Sequence, residues 1–121
     1  MTDIIEIDNL RLRCIIGFSA HELKDKQDVV ISLRIRTDMR RAGETDNPDD
    51  AFNYRTVTKA IIQHVENSQY KLVEALADAI ARICVVDHDA EYVQVRVHKP
   101  GALRFSDSVG VVIERTPQDY V

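Results

Sequence analysis

Inside the alanine-rich run Tyr70–Cys84, residues Leu72, Leu76, Ala79, Ile80 and Ile83 recur at helical spacing. This commits the middle of the chain, as far as about Val86, to a helix with a wide buried face. A helix this apolar needs a layer to pack on, and the flanking segments must supply it. Glu74 stands apart in the run. It falls in the first turn, where free N–H groups and the helix dipole favour an ionised carboxylate, yet Lys71 occupies the position where a capping box would need Ser or Thr. A solvated glutamate and a glutamate that binds a ligand both remain open.

The preceding chain alternates. Leu10, Leu12, Cys14 and Ile16 predict one half-buried strand, ended by Gly17, and Val29, Ile31, Leu33 and Ile35 predict a second, with Ser32, Arg34 and Arg36 opposite. The polar connection between them, Ser19 to Lys26, carries His21, Glu22 and Lys24, and the two strands are expected to form an antiparallel hairpin. Asp38 to Asp50, with Asp46-Asn47-Pro48, reads as an exposed crossing that does not pack. Asn53 then caps a helix striped by Val57, Ile61 and Val65 and widened by Ala60 and Ile62. Tyr54 lies at its entrance and an Asn67-Ser68-Gln69 break closes it. After the second helix, Val93, Val95, Val97 and Lys99 share one strand face, Pro100-Gly101 stops that strand, and Val109, Val111 and Ile113 face inward on the last. Lys99 on an apolar face is either a snorkelling strand-end lysine or a functional amine.

The order β-β-α-α-β-β predicts an α+β fold, a four-stranded antiparallel sheet with both helices on one face, in one domain spanning residues 1–121. Its sheet edges need covering or pairing. A net charge of -4 argues against a general nucleic-acid or anionic-membrane surface, and Arg34 and Arg36 lack the interleaved aromatics of a nucleic-acid platform. Met1 to Glu6 has neither the basic start nor the apolar core of a leader, so a cytoplasmic protein is expected. Cys14 and Cys84 suit buried free thiols, and neither they nor the histidines show metal-ligand spacing, so no metal is expected.

Glu22, Asp46-Asn47, Tyr54, Leu72-Val73-Glu74 and Lys99-Pro100-Gly101-Ala102, taken together in this order, resemble the dihydroneopterin aldolase family of tunnelling-fold proteins. Asn53 to Lys59, Ile61 to Asn67 and Ala102 to Val109 pull toward its dihydroneopterin triphosphate 2'-epimerase branch. Lys99-Pro100-Gly101-Ala102 pulls toward the aldolase. The resemblance implies a pterin substrate and a homo-octamer of two stacked rings that closes the sheets into a barrel. It also implies sites between subunits, with Tyr54 from one chain and Glu74 and Lys99 from the other. The implied substrate-binding residues are Glu74, Val73, Leu72, Asn53 and Arg104, with Arg13 and Lys24 as weaker triphosphate candidates. The implied catalytic residues are Lys99, Tyr54 and Glu22. Because the pterin ring is its own electron sink, no cofactor is implied. The activity implied is 2'-epimerisation of dihydroneopterin triphosphate by interrupted retro-aldol cleavage, with aldolase cleavage as the alternative. A non-catalytic scaffold would be expected to lack Glu74, Tyr54 and Lys99, all of which are present.

Overall fold

The computed structural model describes residues 3–121. Met1 and Thr2, part of the stretch read above for a leader, lie outside the described residues. The order is β1 (Ile4–Ile16), β2 (Gln27–Arg36), α1 (Arg40–Thr45), α2 (Tyr54–Glu66), β3 (Gln69–Tyr70), α3 (Val73–Arg82), β4 (Tyr92–Pro100) and β5 (Ser108–Arg115). The strands form one sheet in the order β3-β1-β2-β4-β5.

The expected hairpins are present: β1 runs antiparallel to β2 with Cys14 opposite Gln27, and β4 runs antiparallel to β5 with Lys99 opposite Val109. In β1 the register shifts between Ile7 and Leu10, and Asn9 adopts φ 56° while its N–H donates to Ser32 Oγ at 3.0 Å. This bulge lets Ile5 and Ile7 face the same side as Leu10, Leu12 and Cys14 despite the extra residue. One core joins that side of the sheet to Val57, Ile61 and Val65 of α2 and to Leu76, Ala77, Ile80 and Ala81 of α3. Full burial of each large aliphatic side chain contributes about 1.5–3 kcal/mol, so the pattern of apolar faces dictates the layer packing.

Four expectations are corrected. The sheet has five strands, because Gln69, at the end of the expected break, and Tyr70, expected to open the helical run, pair in parallel with Ile15 and Ile16. The Asp38–Asp50 crossing holds α1 and a 3-10 turn at Pro48–Asp50, although neither buries a residue. The second long helix is α-helical only to Arg82 and continues as a π-type turn, Ile83–Asp87, which keeps Ile83, Cys84 and Val85 buried. Leu72 and Val109 leave the expected buried faces: Leu72 caps α3 from outside it and is 49% exposed, and Val109, on the edge strand, is 40% exposed. Among the described residues no helix is long and apolar enough to cross a membrane.

Candidate active site

Lys99 is the only buried charged side chain among the described residues, and its Nζ donates to Glu22 Oε2 at 2.6 Å. The alternation of β4 places Lys99 on the core side next to Pro100, where the strand ends. The reading of Lys99 as a lysine snorkelling into water is thereby overturned. The amine turns instead to a carboxylate 77 residues earlier in the chain.

Several groups fix that carboxylate. Gln27 Nε2 donates to Glu22 Oε2 at 3.2 Å and to the Ile16 carbonyl at 2.6 Å, which ties the loop to the end of β1. Ser19 Oγ donates to Glu22 Oε1 and accepts from the Glu22 N–H, both at 3.2 Å. The Lys99 hydrogen bond, then that of Gln27, holds the Glu22 carboxyl down at about 2 against the opposing effect of burial. Glu22 is therefore ionised at neutral pH and a weak proton acceptor. Gly17, at φ +131°, makes this possible, because a Cβ there would land on the Glu22 carboxyl group. Sequence reasoning found Glu22 and Lys99 but missed Gly17, Ser19 and Gln27. The legible signal was a glycine directly after a strand, followed by a short polar loop.

The Gly17 N–H donates to the Tyr70 carbonyl at 3.0 Å, so β3 brings the start of α3 to this same end of the sheet. Leu72 provides no side-chain cap, Val73 is half-buried, and Glu74 is exposed in the first turn. The carboxylate thus stands beside backbone N–H groups that no side chain covers. Arg104 follows in the β4–β5 loop, its guanidinium 5.0 Å from the centre of the Phe105 ring, and Phe105 is 97% exposed.

Tyr54 and Asn53 lie elsewhere. Asn53 Oδ1 accepts from the N–H groups of Arg55 and Thr56, each at 3.1 Å, as the expected cap of α2. Tyr54 borders a mainly apolar hollow of about 390 Å³ with Ile5, Thr37, Met39, Ala42 and Phe52, at the end of the sheet where Ile5 pairs with Ile35. Gln27, beside Glu22, opens the ten-residue β2 and Arg36 closes it, so the two ends stand about 30 Å apart at ~3.3 Å per residue. Within one chain, Tyr54 cannot meet Lys99. The structure joins Glu22 to Lys99, places the start of α3 with Leu72, Val73 and Glu74 at the same end of the sheet, with Arg104 in the loop after β4, and separates all of these from Asn53 and Tyr54. Weak triphosphate candidates fare differently: Arg13 pairs with Asp28 at 2.7 Å, whereas Lys24 stays exposed in the Glu22 loop.

Cys14 and Cys84 are buried free thiols, and burial pushes Cys84 up to about 12. Neither is a nucleophile at neutral pH.

Known proteins resemble this chain along nearly its whole length. The family model described as "FolB: Dihydroneopterin aldolase" matches residues 5–114. The dihydroneopterin triphosphate 2'-epimerase of Escherichia coli (strain K12) is 43% identical, over 91% of this chain and 92% of that one. The dihydroneopterin aldolase of the same organism is 30% identical over 93% of each. A crystal structure of E. coli dihydroneopterin aldolase in complex with neopterin superimposes with a TM-score of 0.90 at 30% identity, covering 94% of this chain and 99% of that one. The curled sheet backed by two long helices is the tunnelling fold, and the chain belongs to the FolB dihydroneopterin aldolase family.

Proposed function

We propose that this chain is a dihydroneopterin triphosphate 2'-epimerase, an isomerase that converts 7,8-dihydroneopterin triphosphate to 7,8-dihydromonapterin triphosphate. The observation that carries the reading is the pairing of buried Lys99 with half-buried Glu22 at the sheet end that also holds the start of α3. The choice of epimerase over aldolase is supported by 43% identity to the one against 30% to the other.

Glu74 accepts the 2-amino group and neighbouring ring N–H of the pterin as a charge-assisted fork, with Leu72 and Val73 framing it. The proton of the 2'-hydroxyl leaves, the C1'–C2' bond breaks, and its electrons move into the ring C=N5 unit, where N5 takes up a proton from Lys99. Tyr54, from a neighbouring copy, relays the proton that leaves the hydroxyl. Glu22, ionised and a weak base, orients the Lys99 amine and the side-chain hydroxyls. The freed aldehyde keeps its triphosphate, turns over, and is attacked again by C1' on its other face while both protons return. If the aldehyde escapes, C1' is protonated instead and the outcome is aldolase cleavage.

The assembly we propose is a homo-octamer of two stacked rings with the site shared between copies. It is supported by the separation of Tyr54 from Lys99 and by two open sheet edges, since β5 is terminal and β3 covers only Ile15 and Ile16 of β1. Incubation of the purified protein with 7,8-dihydroneopterin triphosphate and with the unphosphorylated compound tests the reading. After oxidation, chromatography should show monapterin from the triphosphate as the main product. Formation of 6-hydroxymethylpterin alone from both substrates would replace the epimerase by the aldolase.

A further inference from the structure

We propose that Arg55 and Lys59, on the first two turns of α2, hold the triphosphate tail of the substrate and enter the site together with Tyr54 of the neighbouring copy. The proposal rests on the epimerase reading above. Tyr54, Arg55, Thr58 and Lys59 line one hollow of about 400 Å³ on the outer side of α2. Arg55 and Lys59 are four residues apart and therefore on one helix face. Their place beside Tyr54 sets them apart: Arg13, Arg34, Arg40, Arg41 and Arg115 are each held by a carboxylate, and Lys24, Lys71 and Arg96, exposed and in no ion pair among the described residues, do not line this hollow. Among the described residues, no ion pair or hydrogen bond engages the side chain of Arg55 or of Lys59. Arg104, by contrast, lies over Phe105 of its own loop.

The helix end is not itself the receptor, because Asn53 Oδ1 already takes the N–H groups of Arg55 and Thr56. The cap instead pins the turn from which Tyr54 and Arg55 project. A planar guanidinium fork, an ammonium one turn further and the Thr58 hydroxyl are the donor set a polyphosphate needs. In a chain of net charge -4, such a local cluster also selects the phosphorylated pterin from its neutral counterpart. The triphosphate is carried on C3', next to the C2' carbon that becomes the aldehyde. Gripping it tethers the released fragment through the turnover step, so these two cations favour re-addition over escape.

The test measures kcat/KM for 7,8-dihydroneopterin triphosphate and for 7,8-dihydroneopterin in the wild type, in the combined Arg55→Ala and Lys59→Ala variant, and in Arg104→Ala. It also measures calorimetric binding of inorganic tripolyphosphate to each. The combined variant should lower the ratio of the two kcat/KM values at least about tenfold, weaken tripolyphosphate about as much, and release a larger share of the triphosphate substrate as cleaved product. A ratio and a tripolyphosphate affinity both within about twofold of wild type would overturn the proposal, as would a loss confined to Arg104→Ala. A wild type inert on both pterins would overturn the epimerase reading instead. Tripolyphosphate binding needs no turnover, so it still reports on Arg55 and Lys59.

Discussion

Glu22 joins stability to the proposed chemistry through one carboxylate. Its folded value of about 2 lies below the ordinary 4.5, so the unfolded chain takes up the proton first as pH falls. The stabilisation from its partners is complete above about 4.5 and is lost as pH falls through about 2. Glu22→Gln leaves the buried Lys99 without its counter-charge. It should cost about 1–2 kcal/mol at pH 7, a figure discounted for partial exposure, and the gap from wild type should close between pH 4.5 and 2. Melts across that range check this, and parallel stability curves for the two proteins would refute it. If Glu74 holds the pterin as proposed, Glu74→Gln turns one acceptor into a donor against the donors of the ring edge. It should weaken a pterin analogue at least about tenfold with little change in melting temperature, and an unchanged dissociation constant would return Glu74 to the solvated-helix reading. Lys99→Met keeps the apolar stem and removes the amine. Turnover on both pterins should fall by roughly 10²–10⁴ while analogue binding persists; near-normal turnover would remove Lys99 from the proton transfers.

At the scale of elements, the end of β1 and the loop after it act as one device. Gly17→Ala puts a methyl group into the Glu22 carboxyl and places alanine at a left-handed φ, so it should lower turnover about as far as Lys99→Met does and cost about 1–3 kcal/mol. Turnover assay and denaturant titration of this single variant test both. Residues whose burial follows from period were legible: Val29, Ile31, Leu33 and Ile35 on β2, and Val57, Ile61 and Val65 on α2, all lie where alternation or helical spacing puts them. The two-residue β3 has no period to read, and its pairing with Ile15 and Ile16 is a tertiary event. For the same reason Gln27 was invisible. Nothing local says that its amide bridges the Ile16 carbonyl and the Glu22 carboxylate. Lys99 was legible as an anomaly on an apolar face, whereas its partner was legible only through the family resemblance.

For the whole molecule, the central feature is that Tyr54 and Lys99 sit at opposite ends of one sheet. If neighbouring copies complete each other, Tyr54→Phe and Lys99→Met proteins, each inactive alone, should regain activity when dissociated, mixed and reassembled. A random mixture would contain roughly a quarter of its sites with both native residues. No recovery in reassembled mixed oligomers would mean that each copy works alone. The separation also sets how output scales with dose. If the site is shared, a chain carrying two unmatched halves performs no turnover in isolation, so on dilution below the dissociation constant of the assembly the specific activity should collapse, with a rate that climbs faster than the first power of protein concentration. Expression level would then act as a threshold on the reaction, silent at low copy number and engaged once enough chains are present to meet.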